Sequence, residues 1–241
     1  QKFTLTEHLR ELRRRVLRAA IVFAVLVGLS FTFTNYIFKV MLRPIPPNIQ
    51  LIYTELPEMM GVYIKVGLMS GFVLALPYMI IELILFIAPG LKPNERRFVF
   101  GFVPSAILLF AVGVTFGYFI LLPPAINFLL TFGAEIATPY IRISNYIGII
   151  SRLLFWLGII FEIPLVSFLL AKVRIIGPRT LDRFRRHAIV GAFILSAIIT
   201  PTVDPINQSL LAVPLIVLYE ASIWLAKLAH RTSRARPASP V

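Results

Sequence analysis

The chain has 241 residues, 58% of them apolar, with a mean hydropathy of +0.86 and a formal net charge of +13. A soluble domain is nearer ~45–50% apolar, so part of this surface must face a bilayer. Cysteine is absent, which excludes disulfide frameworks and thiolate metal sites, and the basic residues alternate with apolar runs, which makes them loop charges of a membrane protein and not a nucleic-acid surface.

The N-terminal segment reads as a surface helix. Thr4 and Glu7 have capping-box spacing, and Leu5, Leu9, Leu12 and Val16 form an apolar stripe opposite Glu7, Arg10, Glu11, Arg14 and Arg15. An i,i+4 pair with Arg15, worth ~0.3–0.5 kcal/mol, is an adequate structural reason for Glu11. The first span is predicted over Ala19–Phe38, whose 20 uncharged residues end in no small-x-small cleavage site. That is too long for a signal-peptide core and reads as a retained span. Val40–Glu58, with Pro44, Pro46, Pro47 and Pro57, is expected to form a short interfacial helix and extended chain.

A second span is predicted over Gly61–Ile87, with Lys65 near its start and Glu82 near its end, where a solvated interfacial carboxylate is expected. In the loop Ala88–Arg97, Pro89-Gly90 breaks the helix and Asn94 is placed to cap the next. Glu95 then falls in the first turn, where the helix dipole favours an acid. The third span is predicted over residues 98–122, stopped by Pro123-Pro124, and Gly133–Tyr146 is a polar loop.

The fourth span is predicted over Leu153–Ala171. Glu162 sits halfway along it, at a depth where a carboxylate costs several kcal/mol unless it is neutralised, paired or hydrated. The fifth, Ala188–Thr200, and sixth, Ile206–Ala226, are joined by the Pro-rich turn Thr200–Pro205. Even the charge-free run Ala188–Val203 reaches only roughly 24 Å at ~1.5 Å per residue, against a hydrocarbon core of ~30 Å, so this hairpin is expected to thin the bilayer or shelter among its neighbours. Asp204 and Gln208 suit capping of the sixth helix, and Glu220, near its end, suits a solvated interface. Pro77, Pro104, Pro164 and Pro214 lie inside spans and are expected to kink them.

Lys and Arg concentrate at the N-terminus, in Lys92–Arg97, in Lys172–Arg186 and in the tail from Lys227, while the opposite loops hold Lys39, Arg43 and Arg142. The positive-inside rule then gives six spans with both termini in the cytoplasm (N-in/C-in), an all-α membrane protein in which residues 1–241 form a single transmembrane domain. No Walker A loop, no His-Glu-x-x-His helix and no histidine at membrane depth is present, so the inventory excludes an ATPase, a zincin and a serine protease of the membrane.

Several motifs together resemble one family. Glu7-His8-Leu9-Arg10-Glu11-Leu12-Arg13-Arg14-Arg15, Phe86–Leu91 with Asn94-Glu95-Arg96-Arg97, Phe161-Glu162-Ile163-Pro164, Thr200-Pro201 with Asp204 and Gln208, and Leu211–Pro214 with Glu220 occur in the order found in TatC, the large subunit of the twin-arginine translocase. The resemblance implies a cup-shaped receptor of six helices in the prokaryotic plasma membrane; from the residue inventory, no enzyme activity, metal or cofactor is expected. It implies that Glu11 and Glu95, with Leu9 and Arg97 in the same motifs, bind twin-arginine signal peptides. It implies that TatA and TatB single-span partners pack on the last two helices, with Glu162, Gln208 and Glu220 as polar residues facing them. It also implies self-association and export of folded cargo on the proton-motive force. The alternative that the midplane acid and kinked helices allow is a proton-coupled small-molecule secondary transporter.

Overall fold

The computed structural model describes residues 5–47, 49–87, 93–133, 135–136, 140–172, 176–200 and 205–234. Helix α1 runs unbroken over Leu5–Leu42, 38 residues. The surface helix and first span expected as two pieces are therefore one helix of roughly 57 Å at ~1.5 Å per residue. The sequence explains the continuity, since α1 contains no proline and Gly28 is its one glycine. No interfacial helix follows it among the described residues. Past Leu42 the described chain turns, with the Ile45 amide donating to the Leu42 carbonyl at 3.2 Å and the Ile49 amide to the Pro46 carbonyl at 3.1 Å, before strand β1, Leu51–Ile52, because Pro44, Pro46 and Pro47 withhold the donors a helix needs.

Helix α2 covers Glu58–Ile87 and α3 covers Pro93–Phe116. Helix α3 opens on Pro93, ahead of the expected Asn94 cap. Proline's fixed φ and missing N–H suit the first helical position, so Asn94 and Glu95 both fall inside the first turn. Beyond Phe116 a π-helical turn, Gly117–Leu121, leads into α4, Leu122–Thr131. Pro123-Pro124 thus does not stop the helix, against expectation. The Leu122 amide reaches back to the Gly117 carbonyl, and the two prolines occupy the first turn of α4, where absent donors cost least.

Strand β2, Ile141–Arg142, pairs in parallel with β1, Leu51 opposite Ile141 and Ile52 opposite Arg142. Helix α5, Ile143–Phe161, and α6, Ile163–Lys172, follow, separated only by Glu162. The helix thus begins well before the expected Leu153. Of the four interior prolines only Pro164 coincides with a break; α2, α3 and α9 continue through Pro77, Pro104 and Pro214. Helices α7, Pro178–Arg183, α8, Arg185–Ile199, and α9, Pro205–Arg234, complete the described chain.

Among the described residues five stretches are long and apolar enough to cross a membrane: Leu9–Leu42, Glu58–Leu83, Pro104–Thr131, Ile143–Lys172 and Gln208–Leu228. The expected fifth span falls in α8, whose 15 residues make roughly 22 Å at ~1.5 Å per residue. The short run read from the sequence is therefore a short helix. The expected loop Ala88–Lys92 and the turn residues 201–204, with Pro201 and Asp204, lie outside the described residues.

The chain divides into two compact units, Gln1–Val103 with Ile126–Phe155, and Pro104–Ala125 with Trp156–Val241. In the first, α1 and α2 pack antiparallel: Phe38 stacks on Tyr63 at 5.9 Å and Phe23 meets Phe72 edge-on at 5.8 Å. Gly67 and Gly71, one turn apart on α2, let the helices touch. A Cβ at Gly71 would stand 2.5 Å from the Cα of Val27, and one at Gly67 would stand 2.5 Å from the Phe31 ring. Small residues at such crossings give membrane helices their van der Waals contact. Gly71→Val is therefore expected to lower the unfolding temperature in detergent through an overpacking cost of ~1–3 kcal/mol. Gly28→Ala, whose added carbon meets nothing within 4 Å, is not; equal melting of the two variants would refute the close approach.

In the second unit, α8 and α9 form an antiparallel hairpin. The Ser196 hydroxyl donates to the Gln208 carbonyl at 2.5 Å, and the Gln208 amide donates to the Phe193 carbonyl at 3.0 Å. At the other end Arg185 pairs with Glu220 at 3.2 Å, and Lys227 pairs with Asp182 of α7 at 3.3 Å.

Candidate functional site

Charges gather near the N-terminal part of α1. The Arg15 guanidinium donates to Glu11 Oε1 from Nε at 3.1 Å and from a terminal nitrogen at 2.6 Å. This is the local pair expected from the i,i+4 spacing. The same guanidinium also reaches across to α2, donating to Glu82 at 2.9 Å. Glu82 further accepts from the Tyr78 hydroxyl at 2.9 Å and lies 3.5 Å from Arg18.

Glu82 is not the solvated interfacial acid expected. It is buried, with 6% of its surface exposed, because the antiparallel register of α1 and α2 sets it opposite Arg15. Burial of a carboxylate is tolerable only with such partners. Glu11 differs: its side chain keeps 31% exposure, against 11% for Arg15. The site therefore presents one accessible carboxylate on top of an arginine already neutralised from below. Leu9 and Val16 of the apolar stripe are exposed, at 63% and 56%, so the stripe is not buried within the chain. Glu95 and Arg97 lie in the first turns of α3, and their side chains are outside the described residues.

Glu162 belongs to the second unit. It is the one non-helical residue between α5 and α6; its amide donates to Ile159 at 3.1 Å and its carbonyl accepts from Val166 at 2.9 Å. The break has a local cause, since Pro164 has no N–H and its ring clashes with the carbonyl four residues back. The side chain is 1% exposed, and neither carboxylate oxygen has a hydrogen-bond partner among the described residues. Gln208 spends its amide on the hairpin stitch to Phe193, and Glu220 is half-buried on Arg185.

A further polar cluster escaped the sequence reading. At the start of α2, Glu58 accepts from Arg142 at 3.0 Å, from the Ser144 hydroxyl at 2.5 Å and from the Thr54 amide at 2.8 Å. Glu55 lies 3.6 Å from the same arginine. The bonds that Arg142 donates to Glu58 hold the pKa of its guanidinium above the usual range. The cluster's one sequence signal is an acid in the first turn of α2 and a lone arginine in the polar loop Gly133–Tyr146, and the β1–β2 pairing brings them together.

The family described as Sec-independent protein translocase protein (TatC) matches residues 7–214. A TatC of that description from Aquifex aeolicus is 41% identical over 95% of this chain and 97% of its own. One from Carboxydothermus hydrogenoformans is 37% identical over 93% of each. A crystal structure of a twin arginine translocase receptor, TatC, superposes with a TM-score of 0.79 at 41% identity, covering 92% of this chain and 99% of that one.

Proposed function

The chain belongs to the TatC family, multi-pass membrane proteins of Sec-independent protein translocation, and on that premise we propose that it is the receptor and core subunit of a twin-arginine translocase. In this reading it lies in the cytoplasmic membrane of a prokaryote as one membrane domain. It crosses six times, with α8 as the short fifth crossing and both termini in the cytoplasm, where the basic N-terminus, the loop from Lys172 and the tail belong by the positive-inside rule. Twin-arginine signal peptides dock on Glu11 and Glu95, with Leu9 and Arg97 beside them. Single-span TatA and TatB subunits pack on the α8–α9 hairpin and address Glu162, Gln208 and Glu220, and folded cargo crosses on the proton-motive force. Family membership favours this over a small-molecule transporter.

The observation that carries the reading is the pair of bonds from the Arg15 guanidinium to the part-exposed Glu11. The carboxylate is already organised to accept a guanidinium from two of its nitrogens, which lysine's point charge does not match. Arg15 also holds Glu82. An incoming arginine therefore displaces Arg15 from Glu11 without leaving Arg15 unpaired.

Binding of a signal peptide to the detergent-purified chain tests this. The Arg-Arg form is expected to bind at least about tenfold tighter than Lys-Lys, the worth of one charge-assisted hydrogen bond at ~1.5–3 kcal/mol, and Glu11→Ala and Glu95→Ala are each expected to erase the difference. Equal binding of both peptides, or mutants that discriminate like wild type, would move the recognition site elsewhere.

A further inference from the structure

On the first unit, α1, α2 and α5 enclose an apolar groove of about 590 Å³, within the ~300–1,000 Å³ of small-molecule sites. Its walls are Phe23 of α1, Ile64, Leu68 and Phe72 of α2, and Phe155 of α5. The three phenyl rings form a continuous face, Phe23 to Phe72 at 5.8 Å and Phe72 to Phe155 at 5.4 Å. At one end the groove meets a polar recess of about 320 Å³ that contains Glu58 and Arg142. Gly61 and Lys65, one turn apart on α2, line both.

Lys65 is the distinctive group. Its amine rests against α5 where Gly148 leaves room; a Cβ at Gly148 would stand 3.1 Å from Nζ. The two acids of the recess do not pair with it among the described residues, because both turn to Arg142 at 3.6 and 3.0 Å. The result is a cation at the head of an apolar channel opening along a membrane helix. The junction is open at Gly61, where a Cβ would meet nothing within 4 Å.

We propose that this groove is a phospholipid site, in which one acyl chain lies along Phe23, Phe72 and Phe155 and the lipid phosphate sits on Lys65. The chemistry fits on both counts. Lysine is a point-charge phosphate binder, and long cationic side chains place their charge at the headgroup level while the stem stays in hydrocarbon. An apolar partner helix seated here would cover Lys65 without supplying an anion.

The test is native mass spectrometry on the full chain in detergent, titrated with phosphatidylglycerol, phosphatidylethanolamine and dioleoylglycerol. Both phospholipids are expected to be retained at least about tenfold better than the phosphate-free diacylglycerol, the loss of one charge-assisted hydrogen bond. Lys65→Gln is expected to remove that preference, and Lys65→Arg to keep it. Gly61→Leu, which fills the junction, is expected to lower retention of all three, while Gly61→Ala does not. Unchanged phospholipid retention in Lys65→Gln or in Gly61→Leu overturns the proposal, as does a Gly61→Leu variant that alters only the dimer fraction. The readout uses no signal peptide, so its outcome is independent of the receptor reading.

Discussion

Glu162→Leu is expected to make the protein more stable and less able to transport. In the folded chain the Glu162 carboxylate is 1% exposed and neither oxygen is hydrogen-bonded among the described residues. An unsatisfied buried polar group costs ~1–3 kcal/mol, and a volume-matched apolar side chain removes that cost. For a chain of this size ~1 kcal/mol corresponds to ~2–4 °C in Tm, so the detergent-solubilised variant should melt several degrees higher. In our reading a carboxylate kept at such expense is reserved for a polar residue on a single-span partner. Transport of twin-arginine cargo should accordingly fall by about tenfold or more, the worth of a charge-assisted hydrogen bond, while signal-peptide binding is spared. The two readouts separate a functional carboxylate from a structural one. If Glu162 merely ties helices together, the leucine variant melts lower. If transport is unchanged, the partner-facing role is wrong.

The second large effect is expected at Glu82, which in this reading need never touch the signal peptide. Arg15 is shared between Glu11 at 2.6 Å and Glu82 at 2.9 Å, and its side chain is 11% exposed. Glu82→Gln removes the buried charge, so Arg15 can be neutralised only by Glu11. An incoming arginine then competes for a carboxylate that Arg15 cannot release. Affinity for the Arg-Arg peptide should drop by about tenfold or more, on the scale of ~1.5–3 kcal/mol for a charge-assisted hydrogen bond. The double variant Arg15→Gln/Glu82→Gln should recover most of the loss, because Glu11 is then free. A double-mutant cycle measures this directly. Additive losses would mean that Glu82 supports the local fold and not the exchange.

These expectations depend on different amounts of the sequence. The Glu11–Arg15 pair and the exceptional character of Glu162 were legible because each follows from a local rule: four-residue spacing on a helix in one case, a charge within an apolar run in the other. The short α8 was legible from distances between charges. Where the reading failed, it applied a local stop signal without its context. Pro123-Pro124 reads as a helix stop, but the π turn at Gly117–Leu121 puts both prolines in a first turn, where they are tolerated. Pro44, Pro46 and Pro47 end α1 as a proline cluster should, while the interfacial helix expected beside them is absent among the described residues.

Taken by itself, then, the sequence determined the membrane class, the helical elements, the family motifs and the carboxylates that stand out of place. The tertiary structure alone decided which of those carboxylates are satisfied. Arg15 and Glu82 are 67 residues apart, and Arg142 and Glu58 are 84 apart. Their meeting depends on the register of α1 against α2 and of β1 against β2. That register is set by close packing, in which Gly67 and Gly71 admit Phe31 and Val27, and by the parallel strand pair. Hydropathy and charge spacing act within a few turns of one helix, so they mark a buried acid as costly but do not name the partner that offsets the cost. Naming it requires knowing which faces of distant helices touch, and that is a property of packing.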